Sequence, residues 1–399
     1  MQLGWVDFSR EERRKITSII KLLGTQMAVD EIGIGTIRDG FSELLFPGSS
    51  TVQTRAKYFA LVPHIFALAE KQKFKKRSDV AAWVHKQEDE LVRIIKSNGE
   101  RLKDKDGTRR GDGVIGFLNE QRNVGNARKP SDIYWNGLKA YSILRDDLSF
   151  SDVCGIIFDN YQLAHEVTLK SEDAESGSDD DDYLNNKQVL FTPIPYMGKL
   201  SNLDNTTIKL TRKEAEYLYE RITDCESYQV KGSLIRHLLL HPDEITDHFW
   251  EIDTDLLPGQ LMEVTRHAQE FSGFIYGAHV LYNIAYSEAN TGEVDPDKAE
   301  KFKDWRNAWR NRELDVSRIR LLTQCDPKAA AFVQSFYDRI KEQNIEAAKE
   351  LIKNREKSIK KGRAKIGDGG DYKPVHDYQI EYRYRTVKQI INDILEGLE

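Results

Sequence analysis

The sequence predicts a mainly α, multi-helical protein of two helical domains with minor β pieces. Three observations carry that expectation. Ten prolines are few for 399 residues, and long proline-poor stretches favour helix. Apolar residues recur at helical spacing along most of the chain. Capping residues and glycines stand where such segments would begin and end. A hydrophobic content of 39% with 31% charged residues is that of a folded chain with a real core.

The elements follow in order. Ile16, Ile19, Ile20 and Leu23 mark a helix over 10–23 behind Ser9, closed by Gly24. Thr36 is positioned to cap a short helix through Leu45, and Pro47-Gly48 forms a turn. Ser49 or Ser50 is then expected to open a long helix carrying Ala56, Phe59, Ala60 and Ile65. A helix from Ser78 stops at Gly99, and the polar, glycine-rich 99–113 is a loop. Ser131-Asp132 starts an aromatic helix with Tyr134, Trp135, Leu138 and Tyr141, followed by a helix from Phe150 to Leu163.

Residues 171–186 carry seven acids and no base, a self-repelling run expected to be a disordered boundary. The expected division is therefore an N-terminal helical domain over 1–165, an acidic loop over 166–186 and a C-terminal helical domain over 187–399. Gln188–Thr192 and Thr206–Leu210 read as β pieces, with a third near 380. Thr211 and Glu214 fit a capping box. Helices then follow at 232–241, 259–289, 296–312, 327–361 and 384–398. In the 259–289 helix, Phe271, Phe274, Ile275, Ala278, Tyr282 and Ala285 share a face, and Gly273 and Gly277 would let a neighbouring helix approach closely.

The net charge of −6 hides a basic C-terminal third. Residues 301–320 hold seven bases against three acids, and residues 339–365 hold ten against four. Such an excess suits an anionic partner, although a solvated helix face has the same pattern. Cys154, Cys225 and Cys325 are too sparse for a disulfide framework or a metal knuckle and are expected as buried thiols of a reducing compartment. The opening MQLGWVDFSREERRK has no apolar signal core, and the run from Phe271 to Ser287 is too short and polar to span a bilayer, so the expectation is a soluble, cytoplasmic protein without membrane contact.

The chain has no phosphate-binding Gly-x4-Gly-Lys-Ser/Thr loop, no zinc helix of the His-Glu-x2-His type and no Gly-x-Ser-x-Gly elbow. Arg236 and His241 stand at the Arg-x4-His spacing seen in helical ribonucleases, where the arginine would stabilise phosphate charge and the histidine move a proton. The structural alternative is a set of cationic side chains complementing a helix C-terminus. His237, His241 and His248 lack ligands at a defensible metal spacing, and no metal or cofactor is expected.

Four segments are candidates for contact with nucleic acid. Thr54, Arg55 and Lys57 open a helix after a turn, so hydroxyl, guanidinium and ammonium would meet a phosphate there, unless they form a cap with an internal ion pair. Pro130 to Lys139 would serve as an aromatic recognition helix, or as core. Lys353, Arg355, Lys360 and Arg363 form the basic end of the long C-terminal helix. Tyr382-Arg383-Tyr384-Arg385 interleaves rings and cations, which suits stacking with phosphate contact or a strand packed on a helix.

Several strings together resemble a known family: GWVDFS at 4–9, GIGTIRD at 33–39, LFPGSSTVQTRAKYF at 45–59, GVIG at 113–116, PSDIYWNGL at 130–138 and YRYRTVKQIINDI at 382–394. They resemble a prokaryotic family described as domain of unknown function 6361. The likeness runs nearly end to end, with the acidic run 171–182 outside it. The resemblance implies a bacterial, cytoplasmic setting and genes near helicases and phospholipase-D-like nucleases in phage-defence clusters. It transfers no catalytic residue. The expected function is a defence-associated accessory protein contacting DNA or a nuclease or helicase partner. The alternatives are a helical nuclease using Arg236 and His241, and an assembly scaffold without nucleic-acid contact.

Overall fold

The computed structural model describes residues 30–98, 113–117, 128–172, 189–193, 206–225, 232–375 and 378–399, with side chains of the last helix before the acidic run described only as far as 163. The expected helix over 10–23 and nearly all of the 99–113 loop and the acidic run lie outside the described residues. Thirteen α-helices occupy most of what is described, and the fold is mainly α. Of the expected β pieces, Gln188–Thr192 contributes one isolated antiparallel bridge, Phe191 to Leu144, while Thr206–Leu210 and the segment near 380 form no strand among the described residues. No described helix is long and apolar enough to cross a membrane.

The chain folds into two compact units, each assembled from segments distant in sequence. One comprises Met1–Gly40 with His267–Ile380, and the other Phe41–Arg266 with Glu381–Glu399.

In the second of these units the centre is helix Tyr58–Ala69, here α2, preceded by the part of α1 (Gly35–Leu45) from Phe41 onward. Eleven of the twelve residues of α2 are buried, as expected of a helix that is apolar on every side. It packs on α3 (Arg77–Asn98) and α4 (Pro130–Ala140), and α3 packs on α5 (Phe150–Glu172). The start of α2 corrects the expected helix from Ser49 or Ser50. Gln53 accepts from Ser50 N (3.1 Å) and donates to the Gly48 carbonyl (3.0 Å), closing a turn that holds 50–57 out of helix. Helix α6 (Arg212–Thr223) carries the expected capping box, with Thr211 accepting from Glu214 N at 3.4 Å and Glu214 accepting from Thr211 N at 2.6 Å. It packs against α7 (Leu234–Leu240) and the C-terminal helix Tyr384–Leu398.

In the other unit, α8 (Gly259–Thr291) contributes its length from His267 onward. The expected face is core: Phe271, Phe274, Ile275, Ala278, Tyr282 and Ala285 are all buried. Phe274 meets Trp305, Trp309, Phe336 and Tyr337 with ring centroids 5.2–5.8 Å away, and full burial of such a ring contributes about 1.5–3 kcal/mol. Gly277 has the predicted use: the Trp305 ring occupies the space that a side chain there would fill, while Trp305 Nε1 donates to the Gly273 carbonyl at 2.8 Å. After α9 (Pro296–Trp309), a helix not anticipated from the sequence, α10 (Val316–Thr323), starts where Asp315 caps Arg318 N at 2.8 Å.

The single long helix expected over 327–361 is two helices, α11 (Pro327–Lys341) and α12 (Ile345–Lys360). Gln343 adopts φ +57°, and Asn344 caps α12 by accepting from Ala347 N at 3.1 Å. A left-handed residue followed by a side-chain cap ends one helix and starts the next, which periodicity alone does not reveal. The last helix, α13 (Tyr384–Leu398), buries Tyr384, Val387, Ile390, Ile391 and Ile394.

Candidate nucleic-acid interface

The cations singled out in the sequence divide into two classes. Arg55 is buried, and its Nε lies 2.9 Å from both carboxylate oxygens of Asp393, which also accepts from Ala56 N (2.8 Å) and Gln389 (2.8 Å). Lys57 is buried and donates to Glu214 at 2.6–2.7 Å. Thr54 donates its hydroxyl to the Gly113 carbonyl at 2.6 Å. The Thr54 and Arg55 amides both donate to the Tyr134 hydroxyl, which in turn donates to the Arg55 carbonyl at 2.8 Å. Burial pushes that phenol up to about 12, so it stays protonated and keeps donating. The 54–57 turn is therefore the internal alternative, with its polar groups turned onto protein partners. Tyr134 of the aromatic helix is core, packed edge-on to Phe59 at 4.9 Å.

The C-terminal tetrad is also divided. Lys360 is buried between Glu31 (3.0 Å) and Glu356 (3.4 Å). Burial alone would raise the Glu31 carboxyl, but the hydrogen bond and charge of Lys360, with Lys365, outweigh it and hold the group below its ordinary value. Arg355 is half-buried over the Phe332 ring and donates to the Ile32 and Gly33 carbonyls at 3.1 and 3.0 Å. Lys353 pairs with Glu350 at 2.9 Å near the surface. Arg363 is exposed in the turn Lys361–Arg363 that follows α12.

In the 382–385 segment, Tyr382 and Tyr384 are buried, Tyr382 meeting Phe249 at 5.0 Å and Tyr384 donating to the Thr246 carbonyl at 3.0 Å. Arg383 donates to the Ser49 carbonyl and to Glu43, both at 2.6 Å. Arg385 is 88% exposed, with Glu381 at 3.6 Å.

An exposed electropositive surface remains at the end of α12. Residues 353–365 hold seven bases and one acid. The acid, Glu356, is fully buried and accepts from Tyr282 Oη (2.6 Å), Lys365 N (3.0 Å) and Ile366 N (3.1 Å). It pins the chain just past the helix to the helix itself, and its charge lies below the surface. Lys357, Lys361 and Arg363 stand exposed around it. Lys361 adopts φ +53° to make the turn. Cations at a helix C-terminus are favoured by its dipole, so the cluster is compatible with folding and still open to a polyanion.

The proposed catalytic pair sits on and just past α7. Arg236 takes its amide hydrogen bond to the Ser233 cap, and His241 ends the helix half-exposed. His237 Nε2 lies 2.7 Å from Glu244, His241 Nδ1 lies 3.9 Å from the same carboxylate, and the two imidazoles are 4.6 Å apart. His248 pairs instead with Glu381 at 2.6 Å and stacks on Trp250. Among the described residues no group of His, Cys, Asp or Glu is arranged to hold a metal ion. The three cysteines are buried and form no disulfide, and burial pushes the thiol of Cys154 up to about 12, the reverse of an activated nucleophile.

The residues that sequence reasoning missed are the buried carboxylates. Glu88, Glu356 and Asp393 each lie on the apolar stripe of an amphipathic helix, beside Val84 and Val92, Ile352, and Ile390 and Ile394 respectively. An acid on such a stripe is the available signal for a buried partner, because an unpaired buried charge is too costly to keep.

No curated protein and no solved structure matches this chain. A family model does, over residues 1–319, which takes in the 33–39 and 45–59 strings on which the resemblance rests. The chain belongs to the family of unknown function DUF6361.

Proposed function

We propose that this protein is a non-catalytic accessory component of a bacterial phage-defence system that contacts nucleic acid through the exposed cations at the end of α12. The observation that carries the reading is the surface at 353–365, where Lys357, Lys361 and Arg363 are exposed while the intervening acid is buried and satisfied. The defence setting draws on the gene neighbourhoods that membership of the family implies. Contact with a backbone phosphate needs exposed, preorganised cations and no base-specific geometry. Lys353 adds partly exposed charge to the same surface, and Arg385 adds exposed charge elsewhere.

The test is fluorescence anisotropy of the full chain with labelled single- and double-stranded DNA and RNA. Binding that is lost in the triple variant K357A/K361A/R363A supports the reading. Absence of binding at low salt, together with capture of a helicase or nuclease partner, would replace it with the scaffold reading.

A second reading, a nuclease using Arg236 and His241, is favoured by one observation: Glu244 lies beside both His237 and His241, an arrangement suited to orienting an imidazole for proton transfer. Under that reading H241A abolishes cleavage of RNA or DNA by the purified protein. Absence of any cleavage by the unaltered chain rules it out.

A further inference from the structure

The unit built from Phe41–Arg266 and Glu381–Glu399 contains an open cleft of about 640 Å³, within the range of small-molecule sites. Its charged lining comes from Glu43, Lys139, Arg145, Asp146, Asp147 and Arg221. Glu43 accepts from Arg383 at 2.6 Å, and Asp147 from Lys139 at 2.6 Å. Arg145 is exposed to the cleft with no carboxylate within ion-pair distance of its guanidinium among the described residues. Among the described residues Arg221 pairs with the exposed Asp224, at 3.3 Å.

The backbone that presents Arg145 is fixed on both sides. Arg145 N donates to the Leu190 carbonyl at 2.9 Å, and Thr192 N donates to the Ile143 carbonyl at 2.8 Å, framing the Leu144–Phe191 bridge. Thr192 Oγ1 donates to the Ser142 carbonyl at 2.7 Å, and the Tyr217 hydroxyl donates to the Thr192 carbonyl at 3.3 Å. Ser142 and Asp146 flank the bridge at φ +52° and +51°, a left-handed conformation uncommon for residues other than glycine, with aspartate among those that adopt it more readily. Burial pushes the Tyr217 phenol up to about 12, and the charges of Arg221 and Arg145 pull against it, so both guanidiniums lie within electrostatic reach of one atom.

The geometry points to this cleft as a binding site for a small phosphate-bearing molecule, with the Arg145 guanidinium as its principal anchor and Arg221 as the second. A guanidinium presents a planar fork of donors matched to phosphate oxygens, and two of them compensate a dianionic head where a carboxylate needs only one. The paired Glu43 and Asp147 oppose such an anion little. Asp146 also lines the cleft, next in sequence to Arg145.

The test is isothermal titration calorimetry of the full chain at low ionic strength with ribose 5-phosphate and inorganic phosphate, using ribose as the uncharged control. Both phosphates are expected to bind and ribose not to bind. R145A should weaken binding about tenfold or more, since a charge-assisted hydrogen bond contributes about 1.5–3 kcal/mol. R145K should restore part of the loss by returning the charge without the fork. K213A, on an exposed position outside the lining, should leave it unchanged. No heat with either phosphate at millimolar concentration, or equal affinity in R145A and the unaltered chain, overturns the assignment.

Discussion

The turn at 54–57 and the helix end at 353–365 contain the same kinds of side chain and use them in opposite ways. At the turn, Arg55 and Lys57 are buried on Asp393 and Glu214, carboxylates 338 and 157 positions away in sequence. At the helix end, the one acid is drawn inside and three cations stay in water. What separates the two is where the carboxylate goes. When a distant acid arrives to meet the cation, the pair becomes architecture. When the local acid turns inward to cap backbone amides, the neighbouring cations are left outside. A basic string in a sequence is therefore not evidence of a binding surface until its acids have been placed.

The sharpest way to break this comparison is at the buried pair. Asp393→Ala leaves Arg55 buried without its counter-charge and the Ala56 amide without its acceptor. The expected cost is about 3–5 kcal/mol of stability, read from the shift of the denaturation midpoint in urea. A loss below about 1 kcal/mol would mean that Arg55 reaches solvent easily and belongs with the exposed class.

The complementary variant is K357A/K361A/R363A. Its stability should stay within about 0.5 kcal/mol of the unaltered chain in the same urea titration, because exposed side chains away from caps and core carry little. Its affinity for nucleic acid should fall tenfold or more. A triple variant that unfolds instead would place these cations in the architecture.

Asn344→Ala tests whether the cationic end depends on the break between α11 and α12. Loss of this cap should cost about 1 kcal/mol and lower the thermal midpoint, without abolishing the α12 fold. An unchanged midpoint would mean that Gln343 alone sets the break.

The smallest effect is expected at His64, in α2 of the same unit as the Lys57–Glu214 pair. It is 2% exposed, with neither ring nitrogen hydrogen-bonded among the described residues. Burial, then the positive charge of Lys71 and of Lys57, lower its pKa below 6.5, with Glu214 acting in the opposite direction. The unfolded chain therefore takes up the proton first. The neutral ring's contribution is fully present above about pH 6.5 and is lost as pH falls through the folded value. Urea titrations between pH 7 and pH 5 should show that decline, and His64→Leu should flatten this part of it. An identical slope in the variant would assign the decline to other groups.

Much of the helical framework was legible in the sequence. Phe271, Phe274, Ala278 and Tyr282 predicted the core face of α8, Gly277 predicted close approach, and the Thr211–Glu214 capping box predicted the start of α6. These are local rules, acting over one turn or one contact. The break at Gln343 and the helix at 316–323 were not legible, because each depends on a single residue that ends or caps a helix against a background of continuous helical pattern. The site residues were the hardest to read. Arg55 and Lys57 fit both a phosphate-facing turn and an internal ion pair in sequence, because the acids that pair with them lie 338 and 157 positions away, and Arg145 carries no local signal because the bridge that presents it joins residues 144 and 191. Pairing across such distances is set by the fold and leaves only a faint trace, an acid on an apolar stripe.

The most direct test of the central claim is the salt dependence of nucleic-acid affinity, measured by anisotropy on double-stranded DNA for the unaltered chain and for K357A/K361A/R363A. If the exposed end of α12 contacts phosphates, the logarithm of the affinity falls linearly with the logarithm of salt concentration. The triple variant should then lose roughly 0.9 of slope for each contact removed, up to about 2.7 in all. A slope unchanged by the three substitutions would contradict the account and place any contact with nucleic acid elsewhere on the molecule.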